Sequence, residues 1–254
     1  MTSLAGRNVL LTGASSGVGR HLARMLARHG ARVVCCARRE AELASLVAEI
    51  ASAGGSAIAQ VCDVSSEASV KAAFDRAEAE WGMVDSVIVN AGITNAMPAV
   101  KMSVESFDQL MAINLRGSFL TAREAGLRMI AAGPPDPSVP RRVVFIASTT
   151  ARKPEKGAVA YGASKAGMVM IAKTLALEWA RHDINVNAIL PGFMPTEIVT
   201  SYLESDEGRQ QIAGWPRKRV MPVEDIDAAV RFLLSAGSRS VSGIELVVDD
   251  LQAL

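Results

Sequence analysis

Cysteine, tyrosine and an excess of charge of either sign are what this chain lacks. Three cysteines stand among 254 residues, Cys35, Cys36 and Cys62, at no spacing that builds a metal site or a disulfide framework. They fall in apolar segments that read as buried strands, so a reducing, cytoplasmic setting is expected and no metal. Lys and Arg number 27 against 26 Asp and Glu, a net charge of +1. Such a mixture offers no basic face for nucleic acid. No apolar run approaches the ~18 residues of a membrane span. The first residues lead into no apolar targeting stretch. Only two tyrosines occur, which bears on the motif described below.

What is present is apolar. Half of the residues are hydrophobic, enough for a large core, and the length alone allows one domain or two. Short β-type runs at residues 8–12, 32–37, 57–62, 86–90, 142–147, 185–190 and 244–248 are continuously apolar, as in a parallel sheet covered on both faces. Helical patterns lie between them. Residues 17–29 place Leu22, Met25 and Leu26 on one face. Residues 39–53 do so with Leu43, Leu46, Val47 and Ile50, and residues 66–81 with Val70, Ala73, Phe74, Ala77 and Trp81.

This alternation predicts an α/β fold, a doubly wound parallel sheet of seven strands in the order 3-2-1-4-5-6-7, with a ligand crevice at the strands' carboxyl ends. No linker or repeat divides the chain, so residues 1–254 read as a single domain. The Pro-rich stretch at 133–140 reads as a stiff surface loop before a central strand. Residues 191–222, the longest stretch without a clear strand, are a candidate lid over the crevice.

Between the first strand and first helix runs Thr12-Gly13-Ala14-Ser15-Ser16-Gly17-Val18-Gly19. Glycines there let the chain turn tightly and let amide N–H groups approach a pyrophosphate at a helix N-terminus. The second strand ends at Ala37, where NAD-selective proteins place an acid for the ribose 2′-hydroxyl. Arg38 and Arg39 follow instead. A carboxylate would repel a 2′-phosphate, whereas arginine binds one in bidentate fashion. NADP(H) is therefore the expected cofactor, with NAD(H) possible. Asp63, beside Val64 after the third strand, suits an adenine amino group and equally suits a helix cap. Asn90-Ala91-Gly92 ends the fourth strand in a small-residue turn that lets the backbone approach a ligand.

Tyr161-Gly-Ala-Ser-Lys165 puts a phenol and an ammonium one helical turn apart. A nearby lysine favours the phenolate, so the spacing predicts a lowered tyrosine pKa and a proton donor or acceptor.

Thr12–Gly19, Asn90-Ala91-Gly92, Asn114, Ser148, Tyr161-x-x-x-Lys165 and Pro191-Gly192 occur in this order, and over essentially its whole length the chain resembles the short-chain dehydrogenase/reductase family. The resemblance implies an Asn-Ser-Tyr-Lys tetrad. Tyr161 would be the general acid in carbonyl reduction and the base in alcohol oxidation. Ser148 would bind the same oxygen. Lys165 would hold the nicotinamide ribose and depress Tyr161. Asn114 would hold a water that relays protons from Lys165. Thr196 would touch the carboxamide or pyrophosphate, and the backbone at residues 189–192, through Pro191 and Gly192, would fix the ring face. Phe193, Met194, Tyr202 and Trp215 would line an apolar substrate pocket or, equally, pack the candidate lid against the core.

The same resemblance implies a small-molecule carbonyl or alcohol substrate, with 3-oxoacyl thioesters a nearer guess. A bulky hydrophobic alcohol oxidised with NAD, or a sensor without catalysis, are the alternatives. Helices over 117–132 and 161–182 resemble those that pair between subunits, which implies a homodimer or homotetramer. One departure stands out. Asp249-Asp250 follows the last strand where the family carries Asp-Gly-Gly, which alters the turn there.

Overall fold

The computed structural model describes residues 3–136, 139–196 and 200–254. Its seven-stranded sheet has the order β3-β2-β1-β4-β5-β6-β7, every neighbouring pair parallel. The strands are β1 (Asn8–Thr12), β2 (Arg32–Ala37), β3 (Ser56–Val61), β4 (Ser86–Val89), β5 (Arg141–Ile146), β6 (Ile184–Pro191) and β7 (Glu245–Val248). The expected order is the observed one. Bounds shift by a residue or so, as where β3 begins at Ser56 rather than at 57. β4, β5 and β6 are buried along their whole length. β3 and β7 are edge strands and half-exposed, which their apolar sequences did not announce.

Helices cover both faces. α1 (Gly17–Arg28) and α2 (Glu40–Ser52) pack on one side, with Leu22, Met25, Leu26, Leu43, Leu46 and Ile50 in its core. α3 (Glu67–Trp81) lies on the other, where Val70, Ala73, Phe74 and Ala77 are buried and Trp81 is partly so. α4 (Val104–Met111) runs through a π-helical turn at Ala112–Arg116 into α5 (Gly117–Ala131). α5 and the long α6 (Val159–Trp179) complete that second face. Beyond β6 come the short α7 (Thr200–Leu203) and α8 (Asp206–Gly214), then α9 (Asp227–Leu234), which joins the α1 side. A registered core on each face, not intrinsic propensity, holds these helices in place.

Where β1 and β4 begin, a buried ion pair joins the chain. Arg7 Nε lies 2.7 Å from Asp85 Oδ1, and the Asn8 N–H donates to Asp85 Oδ2 at 2.8 Å. Burial pushes Asp85 up and Arg7 down in pKa against their mutual attraction. At the other end of the sheet the strands stop short of the turns that build the site. Among the described residues no helix is long and apolar enough to cross a membrane. Pro137 and Ser138 of the Pro-rich loop, and residues 197–199 of the lid, lie outside the described residues.

Candidate active site

A cavity of about 890 Å³ opens at the carboxyl ends of the strands. The glycine turn, Arg38, Arg39, Asp63, Val64, Asn90, Ala91 and Gly92 line one half of it. Ser148, Tyr161, Lys165, Pro191, Gly192 and Thr196 line the other. The tetrad's fourth member, Asn114, stands behind the wall and is fully buried.

The turn after β1 is shaped for close approach. Gly13 takes φ +73°, and a Cβ there would sit 2.8 Å from the Cα of Ala91. A Cβ on Gly19 would collide with the Gly13 carbonyl. Only glycine fits both positions, and the first turn of α1 points its free N–H groups at the space they leave. Asn90 fastens this turn to β4. Its Nδ2 donates to the Thr12 carbonyl at 3.0 Å, and Thr12 Oγ1 accepts from the Asn90 and Ala91 N–H groups at 3.0 and 3.2 Å.

The two arginines after β2 differ. Arg39 reaches back to the glycine turn, its Nε and Nη2 donating to Ser15 Oγ at 3.2 and 3.1 Å. A basic group therefore does border the turn, although the turn's own sequence contains none. Arg38 makes no such bond among the described residues and is exposed to the cavity. Asp63 Oδ1 accepts from the Ser65 N–H at 2.9 Å and from its hydroxyl at 2.7 Å. These bonds, the side-chain one foremost, hold its carboxyl below the usual range, and Arg38 adds to the effect. The residue shapes a turn, while the cap of α3 is Ser66. That cradle of glycine backbone, free amides and two guanidinium groups fits a dinucleotide with a phosphate on its adenosine ribose.

Across the cavity, α6 carries Tyr161 and Lys165 on adjacent turns, with Lys165 Nζ 5.6 Å from the Tyr161 ring centroid. Lys165 is buried, and its ammonium donates to the Ile146 carbonyl at the end of β5 at 2.9 Å. Burial drives its pKa from 10.5 to about 8. The Tyr161 phenol departs from the sequence expectation. Its pKa is raised, first by burial and then by the charge of Glu155, while a hydrogen bond with Ser148 works the other way. Lys165 does not depress it, because burial moves the lysine itself towards neutrality and its ammonium is turned to a backbone carbonyl. Ser148 leaves β5 in extended conformation (φ −170°), and its Oγ also accepts from the Thr150 N–H at 3.2 Å.

Asn114 sits in the π-helical turn between α4 and α5. Its Oδ1 accepts from the Ile93 N–H at 2.8 Å. Its Nδ2 donates to the Ile93 carbonyl at 2.9 Å and to Ser164 Oγ at 3.2 Å. Ser164 in turn donates to the Tyr161 carbonyl at 2.7 Å. The amide therefore clamps the loop after β4 to α6, and little of its capacity is left for a water. A π-turn displaces backbone carbonyls from the regular ladder, a feature frequent at functional sites. Ser164 lies inside the Tyr-to-Lys motif, and its role is not legible in the sequence because it needs the π-helical turn to meet α6.

The far wall comes from the segment after β6. Phe193, Met194 and Tyr202 line the cavity. Trp215 does not. It is buried behind Phe193, ring centroids 5.5 Å apart, as packing between the segment after β6 and the core. The altered C-terminal turn supports this wall. Gln252 Oε1 accepts from the Phe193 N–H at 2.6 Å, and Asp250 pairs with Arg217 at 3.0 Å and Arg219 at 2.6 Å. Asp250 and Leu251 take left-handed φ values of +52° and +69°, the conformation that glycine would adopt more readily. Among the described residues no group of His, Cys, Asp or Glu is arranged to hold a metal.

Comparison with known proteins agrees with this geometry. A family model described as enoyl-(acyl carrier protein) reductase matches residues 13–250. The chain is 34% identical to a D-threitol dehydrogenase of Mycolicibacterium smegmatis over 97% of its length and 92% of that relative. It is 36% identical to a 3beta-hydroxysteroid dehydrogenase 1 of Eggerthella lenta, covering 97% and 93%. Among solved structures, a gluconate 5-dehydrogenase of Burkholderia cenocepacia, in complex with NADP and tartrate, superposes with a TM-score of 0.91 at 32% identity, covering 98% of this chain and 96% of that one.

Proposed function

Because the chain belongs to the short-chain dehydrogenase/reductase family, we propose that Tyr161, Ser148, Lys165 and Asn114 carry out its chemistry. The protein is an NAD(P)-dependent oxidoreductase of secondary alcohols and ketones. The observation that carries the residue assignment is the meeting of Ser148 and Tyr161 at one wall of the cavity, with the glycine cradle opposite. Two hydroxyls side by side suit an oxygen, the carbonyl or carbinol oxygen, better than a carbon–carbon double bond.

Bound NADPH supplies the hydride. Tyr161, kept protonated by burial and by Glu155, donates its proton to the carbonyl oxygen in reduction and takes it back in oxidation. Ser148 donates a hydrogen bond to the same oxygen and orients the carbonyl. Lys165, its pKa lowered to about 8 by burial, lies one helical turn from Tyr161 as the group that resupplies the proton. Asn114 positions α6 through Ser164 and the Ile93 backbone. Arg38 and Arg39 support NADP(H) over NAD(H), since no carboxylate ends β2 to oppose a 2′-phosphate.

The exposed apolar side chains on α5 (Phe119, Leu127) and α6 (Met170, Leu177) support a homodimer or homotetramer. The three buried, unpaired cysteines suit a reducing cytoplasm. A panel of ketones assayed with each cofactor tests the reading. NADPH is consumed faster than NADH, and Arg38→Asp moves the preference towards NADH. Equal use of both cofactors, or an unmoved preference, contradicts the arginine argument. Cofactor binding without turnover of any ketone or alcohol would instead indicate a sensor.

A further inference from the structure

Glu155 stands on the loop between Ser148 and α6 and lines the cavity with Tyr161, Tyr202 and Gln211. Its charge acts on both Tyr161 and Tyr202, which line the same cavity from different walls. Among the described residues it has no ion-pair or hydrogen-bond partner for its side chain. Lys153, whose charge acts on it, donates instead to the Gln252 carbonyl at 3.2 Å. Burial accordingly pushes the Glu155 carboxyl up. Opposite it, Tyr202 donates to Gln211 Oε1 at 2.6 Å, which leaves the Gln211 amide nitrogen without a partner among the described residues.

An acceptor and a donor, both without a side-chain partner among the described residues, thus line the cavity that holds Tyr161 and Ser148. A half-buried carboxylate without a partner is costly, and the cost is relieved by a ligand that donates to it. A hydrocarbon skeleton would seal both groups away from water unpaired. A second carboxylate would be repelled. We propose that Glu155 is a specificity-determining residue that accepts a hydrogen bond from a hydroxyl adjacent to the reacting carbon, so that the substrate class is neutral vicinal diols and their α-hydroxy ketones. This rests on the assignment of Tyr161 and Ser148 as the groups that hold the reacting oxygen, and it names the substrate class of that site.

The test compares matched pairs of equal chain length: an α-hydroxy ketone, the ketone lacking the hydroxyl, and the 2-keto acid. The unchanged enzyme is expected to show the highest kcat/KM for the α-hydroxy ketone. Glu155→Gln should lower the ratio of hydroxy ketone to plain ketone about tenfold, the scale of one hydrogen bond to a charged group, and should improve the keto acid relative to both. Glu155→Asp, which keeps the charge, should restore part of the ratio. An unchanged ratio in Glu155→Gln, or an equal loss on all three substrates, overturns the proposal while leaving the Tyr161 assignment standing. No turnover of any of the three by the unchanged enzyme overturns the proposal, and loss of turnover across the wider ketone and alcohol panel as well overturns the Tyr161 assignment.

Discussion

Lys165 carries an ammonium into a place where charge is opposed. Its pKa of about 8 against 10.5 follows from burial. Below about pH 8 the group is charged in folded and unfolded chains alike, and the folded chain bears the full cost. Between about pH 8 and 10.5 unfolding takes up a proton here, so this residue's contribution to stability rises with pH. Lys165→Met removes the dependence. In urea denaturation at about pH 7 and about pH 9.5, the stability of the unchanged protein relative to Lys165→Met should rise by roughly 2 kcal/mol at the higher pH. A difference that stays constant, or falls, would show that the ammonium is not buried at this cost. The Tyr161–Lys165 spacing was legible in the sequence, and so was the helix beneath it. The direction of the tyrosine's shift was not, because pairwise spacing says nothing of desolvation, and here desolvation is the largest cause. Arg39 was likewise visible as a cation, but its bonds to Ser15 depend on how α2 begins beside the glycine turn.

Elements were easier to read than contacts. β1, β2 and α1 stand where periodicity and the glycine turn place them, since the two strands are short apolar runs and α1 carries its apolar residues on one face. The exposure of β3 and β7 was hidden, because an edge strand in a parallel sheet can be as apolar as a central one. The π-turn that holds Asn114 leaves no mark in composition at all. Exposure of Met170 (63%) and Leu177 (82%) on α6 belongs to this scale too. A helix otherwise packed on the sheet shows these apolar side chains to solvent, as a surface covered by a second copy would. Sedimentation of the purified protein at micromolar concentration should therefore give the mass of two or four chains, and Leu177→Glu should shift it towards one. A single-chain mass for the unchanged protein contradicts the assembly.

For the whole molecule, the sheet sets both halves of the cavity at the carboxyl ends of its strands. β1, β2 and β4 present the cofactor cradle, and β5, β6 and α6 present the reacting groups. This division follows from the right-handed alternation of strands and helices, and it was readable from the order of motifs. The substrate wall was not. Phe193 and Glu155 come from separate loops and Tyr202 and Gln211 from α7 and α8, while Gln252 and Asp250 near the end of the chain hold Phe193, Arg217 and Arg219. The central claim is that Tyr161 moves the proton while other groups bind the cofactor. Reduction of a ketone by NADPH, measured alongside NADPH affinity in the unchanged protein and in Tyr161→Phe, tests it most directly. The account predicts affinity within about threefold and kcat lower by at least about a hundredfold, the scale of one general acid. Turnover retained in Tyr161→Phe would contradict it.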